Sequence, residues 1–233
     1  MMKRLLITWL IAIMSFTAIA QQSNTISFMG IPVDGSKAKM VKRLKTEKGF
    51  FYESKDWKKD GFLTGNFNGY QVNVGIREYN GLVNRVSVFY PDMSKTQVKR
   101  VYNDLYRQLS KEEKYIFDFF NSSGELDEDE DISYEISVNS KQYQNVFFYP
   151  PWGTLNDFEM RVKNNLSLNE ELLSLYNSTF KDGETDRVSA YDWGKEHSEG
   201  NVWFTISTGV KSGDYHITIY YDNTKNQANG EDL

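Results

Sequence analysis

Two histidines, His197 and His216, are the chain's whole stock of the side chain that most readily exchanges a proton near neutral pH. Three-histidine zinc ligation is thereby closed, and no H-E-x-x-H stretch occurs. His197 lies between Glu196 and Ser198, next to Glu199. A nucleophile, a base and an acid can be drawn there, but no G-x-S-x-G elbow accompanies them, so the stretch reads as a loop. His216 alternates out of phase with Tyr215 and Ile217, which puts it on the solvent side of a strand. The sequence contains no cysteine, so disulfides and thiol chemistry are excluded. These residues name no catalytic group and no cofactor or metal.

Carboxylates are the next candidates. Asp127, Asp129 and Asp131 have the spacing of the first three ligands of an EF-hand calcium loop. Such a loop needs glycine at its sixth position and a bidentate glutamate at its twelfth; here those are Ile132 and Val138. The run from Glu125 to Asp131 is expected to be a solvated acidic loop. Paired carboxylates also serve hydrolases, but spacing in a sequence does not place two of them across a substrate. Asn121, Asn165 and Asn177 head N-x-S/T sequons, which matter only in a eukaryotic secretory pathway.

The aromatic residues offer binding rather than catalysis. Trp57, Trp152, Trp193 and Trp203 are large enough to anchor a protein or stack on a sugar. Trp203 alternates against Val202 and Phe204, so it falls on the polar face of its strand. His216 and Tyr220 fall on the matching face of the following strand. Trp203, His216 and Tyr220 are therefore the candidate partner-binding residues. They form a core instead if residues 150–180 cover that second face.

The elements that would carry these residues can be read from periodicity. A helix is expected over 34–48, capped by Asp34 or Ser36 and closed by Gly49, with a narrow stripe of Met40, Val41 and Leu44. Asn68-Gly69 and Asn80-Gly81 are hairpin signals, because both turn residues need positive φ. They divide a three-stranded meander over 61–67, 70–78 and 82–90. Ser94 and Gln97 form a capping box for a second helix with Val98, Val101, Tyr102, Leu105 and Leu109 on one side. Apolar residues resume at Tyr134, Ile136 and Val138, and again at Val146 to Tyr149. Helical patterns follow over 155–164 and 168–180. A hairpin over 201–221 closes the pattern, and the polar tail from Asn223 is expected to fray. The fold class is α+β: an antiparallel sheet with helices packed on one face. Val88-Phe89-Tyr90-Pro91 and Phe147-Phe148-Tyr149-Pro150 echo each other, so the halves 28–120 and 132–223, joined by an acidic loop 121–131, are candidates for related units.

The first residues carry an address. Lys3 and Arg4 precede an apolar run from Leu5 to Ile19, and Ala18-Ile19-Ala20 offers a cleavage site before Gln21. That is the pattern of a cleavable signal over 1–20, which leaves 21–233 as a single α+β domain, periplasmic or secreted, without a membrane anchor. Cleavage would remove two of the 27 basic residues and none of the 32 acidic ones, shifting the net charge from −5 to −7. A chain so acidic repels phosphate backbones, and nucleic acid is not an expected partner.

Two segments carry a resemblance. One is Phe28-Met29-Gly30-Ile31-Pro32-Val33-Asp34-Gly35-Ser36, whose helix ends in Lys48-Gly49-Phe50; the other is Tyr215 to Asn223. Together with the leader, they resemble a family of uncharacterised exported proteins of Gram-negative gut bacteria. The resemblance implies export and an α+β fold, and brings no site residues. The order of elements is also similar to periplasmic modules such as the β-lactamase inhibitor protein and the outer-membrane assembly lipoproteins. The expected function is a non-enzymatic binding module with a protein or glycan partner in the cell envelope. A carboxylate-dependent hydrolase of envelope polymers and a purely structural domain are the alternatives.

Overall fold

The computed structural model describes residues 25–112, 114–149, 198–211 and 213–227. The expected leader, the helices over 155–164 and 168–180, His197, Trp152, Trp193, Asn165 and Asn177 lie outside the described residues, as does the side chain of Trp57.

The described residues begin with a small hairpin, β1 (Ser27–Phe28) and β2 (Ile31–Pro32). Helix α1 (Lys37–Lys48) follows. Ser36 caps it by accepting from the Lys39 N–H, and Gly49 ends it in the left-handed region at φ +74°. Asp34, the other candidate cap, accepts from Gly35 N instead. Met40 and Leu44 are the buried stripe, and the lysines face water. A short helix α2 (Lys55–Asp60) leads into the meander β3 (Phe62–Phe67), β4 (Tyr70–Tyr79) and β5 (Leu82–Phe89). Both Asn-Gly turns have the expected positive φ at both residues: Asn68 +48° and Gly69 +80°, Asn80 +49° and Gly81 +78°. Gly65 of β3 serves a different end. A Cβ there would lie 2.4 Å from the Phe50 ring, so the glycine lets that ring lie flat on the strand.

A two-residue strand β6 (Met93–Ser94) runs into helix α3 (Lys95–Ser110), and the Ser94–Gln97 capping box is present in full. Val98, Val101, Tyr102 and Leu105 are buried along one side of α3. Each such side chain contributes about 1.5–3 kcal/mol by leaving water. Then come β7 (Ile116–Phe117), helix α4 (Ile132–Ser137), β8 (Gln144–Tyr149), β9 (Gly200–Thr208), β10 (Asp214–Asn223) and a 3₁₀ turn over Thr224–Asn226. The segment around Tyr134 is thus one helical turn and a half, started by Asp131, whose carboxylate accepts from Ser133 N and Tyr134 N.

The strands form an open antiparallel sheet in the order β3-β4-β5-β10-β9-β8-β7, with β6 paired to β10. The meander and the C-terminal hairpin meet at its centre, where Ile219 pairs with Val88 and Tyr220 with Ser87. The helix-side face carries Val74, Val86, Val88, Val202, Phe204, Ile217 and Ile219, all buried, and α3 packs on it. Tyr102 of α3 meets Phe204 edge-on at 4.9 Å between ring centres. The fold is α+β, as the periodicity requires.

One expectation is sharpened by the packing and one corrected. The acidic stretch is a largely exposed loop, as expected, but it is tied down along its length. Asn103 of α3 clamps Leu126, donating to its carbonyl at 2.8 Å and accepting from its N–H at 2.9 Å. Lys99 Nζ donates to the backbone carbonyls of Glu128 and Glu130, Lys95 pairs with Asp131, and Arg107 pairs with Glu125. The basic side of α3 thus straps the acidic run down, while Asp127, Glu128 and Asp129 remain exposed. The tail does not fray at Asn223. Asn223 is 2% exposed and donates to the Val33 carbonyl at 2.8 Å, and Asn226 reaches both Asp34 and the Val83 carbonyl.

Candidate functional site

The outer face of the sheet, opposite α3, carries the candidate residues. Strand alternation determines who meets whom there. On β10, Asp222, Tyr220, Thr218 and His216 point outward; their partners on β9 are Asn201, Trp203, Thr205 and Ser207. Across the other edge of β10, Asp222 faces Arg85 and Tyr220 faces Ser87.

Trp203 and Tyr220 are therefore directly opposed, and they stack with ring centres 4.0 Å apart and planes 19° from parallel. Such cross-strand aromatic pairs are the strongest of the sheet's side-chain pairings. The Arg85 guanidinium lies 5.1 Å from the Tyr220 ring centre and 5.8 Å from that of Trp203. It is held there by Asp222, which accepts from both Nε and Nη2, the latter at 2.8 Å. The same carboxylate accepts from Trp203 Nε1 at 2.9 Å. Asp222 is almost entirely buried, at 3% exposure, and its carboxylate is satisfied by the Arg85 cation and the Trp203 N–H. The hydrogen bond to Asp222 raises the already high pKa of Arg85 and outweighs the opposing effect of its partial burial. The result is a rigid cluster that ties β5, β10 and β9 together.

His216 does not join this cluster. It sits four residues along β10 from Tyr220, towards the 209–213 turn, with Nδ1 3.6 Å from Asp92 Oδ1. Asp92 Oδ2 meanwhile accepts from Val210 N at 3.2 Å. The expected trio thus divides into a stacked pair and a separate histidine–aspartate contact on the same face. Trp203, Tyr220 and His216 are each half-buried.

Sequence reasoning missed Arg85 and Asp222. Asp222 had a readable signal: a lone carboxylate closing a strand of Ile and Tyr, two residues beyond Tyr220 on the same face. Arg85 had none, because its partner lies 137 positions away. Arg77 was missed as well. It sits opposite Arg85 on β4, is exposed, and makes no ion pair among the described residues.

Among the described residues no group of three or more His, Asp or Glu side chains is placed to hold a metal ion. Asp131 caps α4 and pairs with Lys95, which removes it from any calcium set. No described helix is long and apolar enough to cross a membrane. No family model matches the chain, and neither the curated proteins nor the solved structures contain a match to it.

Proposed function

We propose that this protein is an exported, non-enzymatic binding module of the cell envelope whose outer sheet face engages another protein. The observation that carries the reading is the Trp203–Tyr220 stack with Arg85 locked over it. Trp, Tyr and Arg are the residue types that dominate protein interfaces. Here they are held still before any partner arrives, so little side-chain freedom remains to be lost on binding.

The chemistry favours a protein over a glycan. A sugar needs an open ring face beside polar groups that can still hydrogen-bond. In this cluster the two rings cover one another, and the Trp203 N–H and the Asp222 carboxylate are committed to each other and to Arg85. Arg77, exposed at the margin, has no ion-pair partner among the described residues, so the matching surface presents a carboxylate beside an apolar patch. Export rests on the leader and on the resemblance at the two ends of the chain.

The test places a photo-reactive phenylalanine analogue at position 87, opposite Tyr220, in cells of the native host. A discrete crosslinked adduct is expected in the envelope fraction. Trp203→Ala should weaken it about thirtyfold, the loss that removal of a hot-spot aromatic brings. Adducts indifferent to Trp203→Ala, in a variant with unchanged circular dichroism, overturn the proposal.

A further inference from the structure

We propose that the cleft between the C-terminal turns of α3 and the β1–β2 hairpin binds a small, uncharged, largely apolar molecule that carries a hydrogen-bond-accepting oxygen. The cleft lies on the helix side of the sheet and stands independently of the outer-face reading.

Its outer chamber has a volume of about 240 Å³. Leu105 and Leu109 of α3, Phe67, Ile219 and the ring of Tyr221 wall it, and the Met29-Gly30 turn forms its lip. Nothing lies within 4 Å of where a Gly30 side chain would begin, so the lip is open. A bridge of two exposed side chains borders it: Asn68 Nδ2 donates to Gln108 Oε1 at 3.1 Å. Adjoining it is a second chamber of about 50 Å³, lined by Tyr70, Tyr90, Val101 and Asp104 and sharing Asn68, Leu105 and Gln108 with the first.

The second chamber holds the telling group. Tyr90 is 4% exposed, and its buried hydroxyl finds no acceptor among the described residues. The Asn68 amide, which also donates to Gln108, acts on the phenol oxygen as a donor, so it supplies no acceptor for the phenol's own hydrogen. A buried donor without an acceptor destabilises a fold by an amount comparable to a lost hydrogen bond. An oxygen supplied from the cleft would satisfy it. Burial raises the pKa of Tyr90 and of Tyr221 well above the ordinary phenol value, so both remain protonated donors. The charged lining residues are each paired: Glu112 with Lys114 at 3.3 Å, and Asp104 with Arg107 at 3.4 Å. A charged ligand would have to displace one of these pairs, whereas an apolar ring fits walls of Leu, Ile and Phe.

Acetophenone and ethylbenzene are the probes, because they share size and shape and differ in the carbonyl oxygen. Titration of the folded protein, followed by amide chemical shifts, should show both binding, with acetophenone about three- to tenfold tighter, as one neutral hydrogen bond allows. Tyr90→Phe should erase that preference and leave ethylbenzene unchanged. Without ligand, Tyr90→Phe should not lower stability, since it removes a hydroxyl whose hydrogen has no acceptor. Leu109→Trp should abolish binding of both probes by filling the outer chamber, and Gln108→Trp, at an exposed rim position, does the same with less risk to the core. Neither probe binding up to its solubility limit overturns the proposal. So does a preference that survives Tyr90→Phe, or binding that survives both tryptophan variants.

Discussion

On the helix side of the sheet, Phe204, Val88 and Ile219 lie side by side, shut off from water by α3. One residue along the same strands, Trp203, Ser87 and Tyr220 line the other face half in solvent, crossed by Arg85 and Asp222. The first face is ordered by area. Its side chains need only be apolar and of the right volume, and its polar margin shows the consequence, since the Tyr90 and Tyr102 hydroxyls are buried with no acceptor among the described residues. The second face is ordered by direction. Asp222 accepts two hydrogen bonds from Arg85 and one from Trp203, and the rings take their positions from that network. Stability is therefore concentrated on one face and positional precision on the other.

Substitution should separate the two. Phe204→Ala removes a fully buried ring that touches Tyr102 and Phe147, and should cost about 3–5 kcal/mol in urea denaturation. A loss below about 1 kcal/mol would mean that the helix-side face is not the main core. Asp222→Ala strands a partly buried guanidinium and an indole N–H together. The expected cost is about 2–3 kcal/mol, less than for a fully enclosed pair because Arg85 keeps 26% of its side-chain exposure. Tryptophan fluorescence should shift as Trp203 loses its partner. If Asp222→Ala costs as little in the presence of Arg85 as in an Arg85→Ala background, the two residues do not act as a unit and the contrast between the faces weakens.

The smallest effect concerns the acidic strap over α3, which uses the outer face's strategy on the helix side. Burial opposes ionisation of Glu130, but hydrogen bonds from Lys141 and from the Tyr143 hydroxyl at 2.7 Å outweigh it, and the carboxyl ends below its ordinary pKa. Asp131 is also held below its ordinary value, first by Lys95 and then by the Tyr134 N–H. Both groups are easier to protonate in the unfolded chain. Their stabilisation is complete above the unfolded values, near pH 4, and disappears as the pH falls through the lower folded ones. Denaturation midpoints measured from pH 6 downward should therefore fall below about pH 4.5. Glu130→Gln should flatten that fall, and an unchanged slope would show that the strap adds nothing.

Local rules made much of the architecture readable. The two Asn-Gly turns, the Ser94–Gln97 box and the Ser36 and Gly49 caps are short-range devices, each complete within a few residues, and each is present where the pattern put it. Alternation likewise placed Trp203, Tyr220 and His216 on one face. Readings of polar runs saw less. The acidic stretch is the exposed loop its charges suggest, but its ties to Asn103 and Lys99, and the burial of Asn223 against Val33, were hidden because those partners are far along the chain.

The sequence by itself determined the elements, their ends and the face each strand residue takes, because φ/ψ preference, capping and a period of two act over neighbouring positions. Tertiary structure alone decided that β5 lies against β10. That pairing puts Arg85 opposite Asp222, locks the guanidinium over the Trp203–Tyr220 stack, and leaves His216 apart at the far end of the strand. The reason is physical: strand register at the centre of a sheet is set by the packing of its buried face, and the exposed face inherits whatever neighbours that packing brings together.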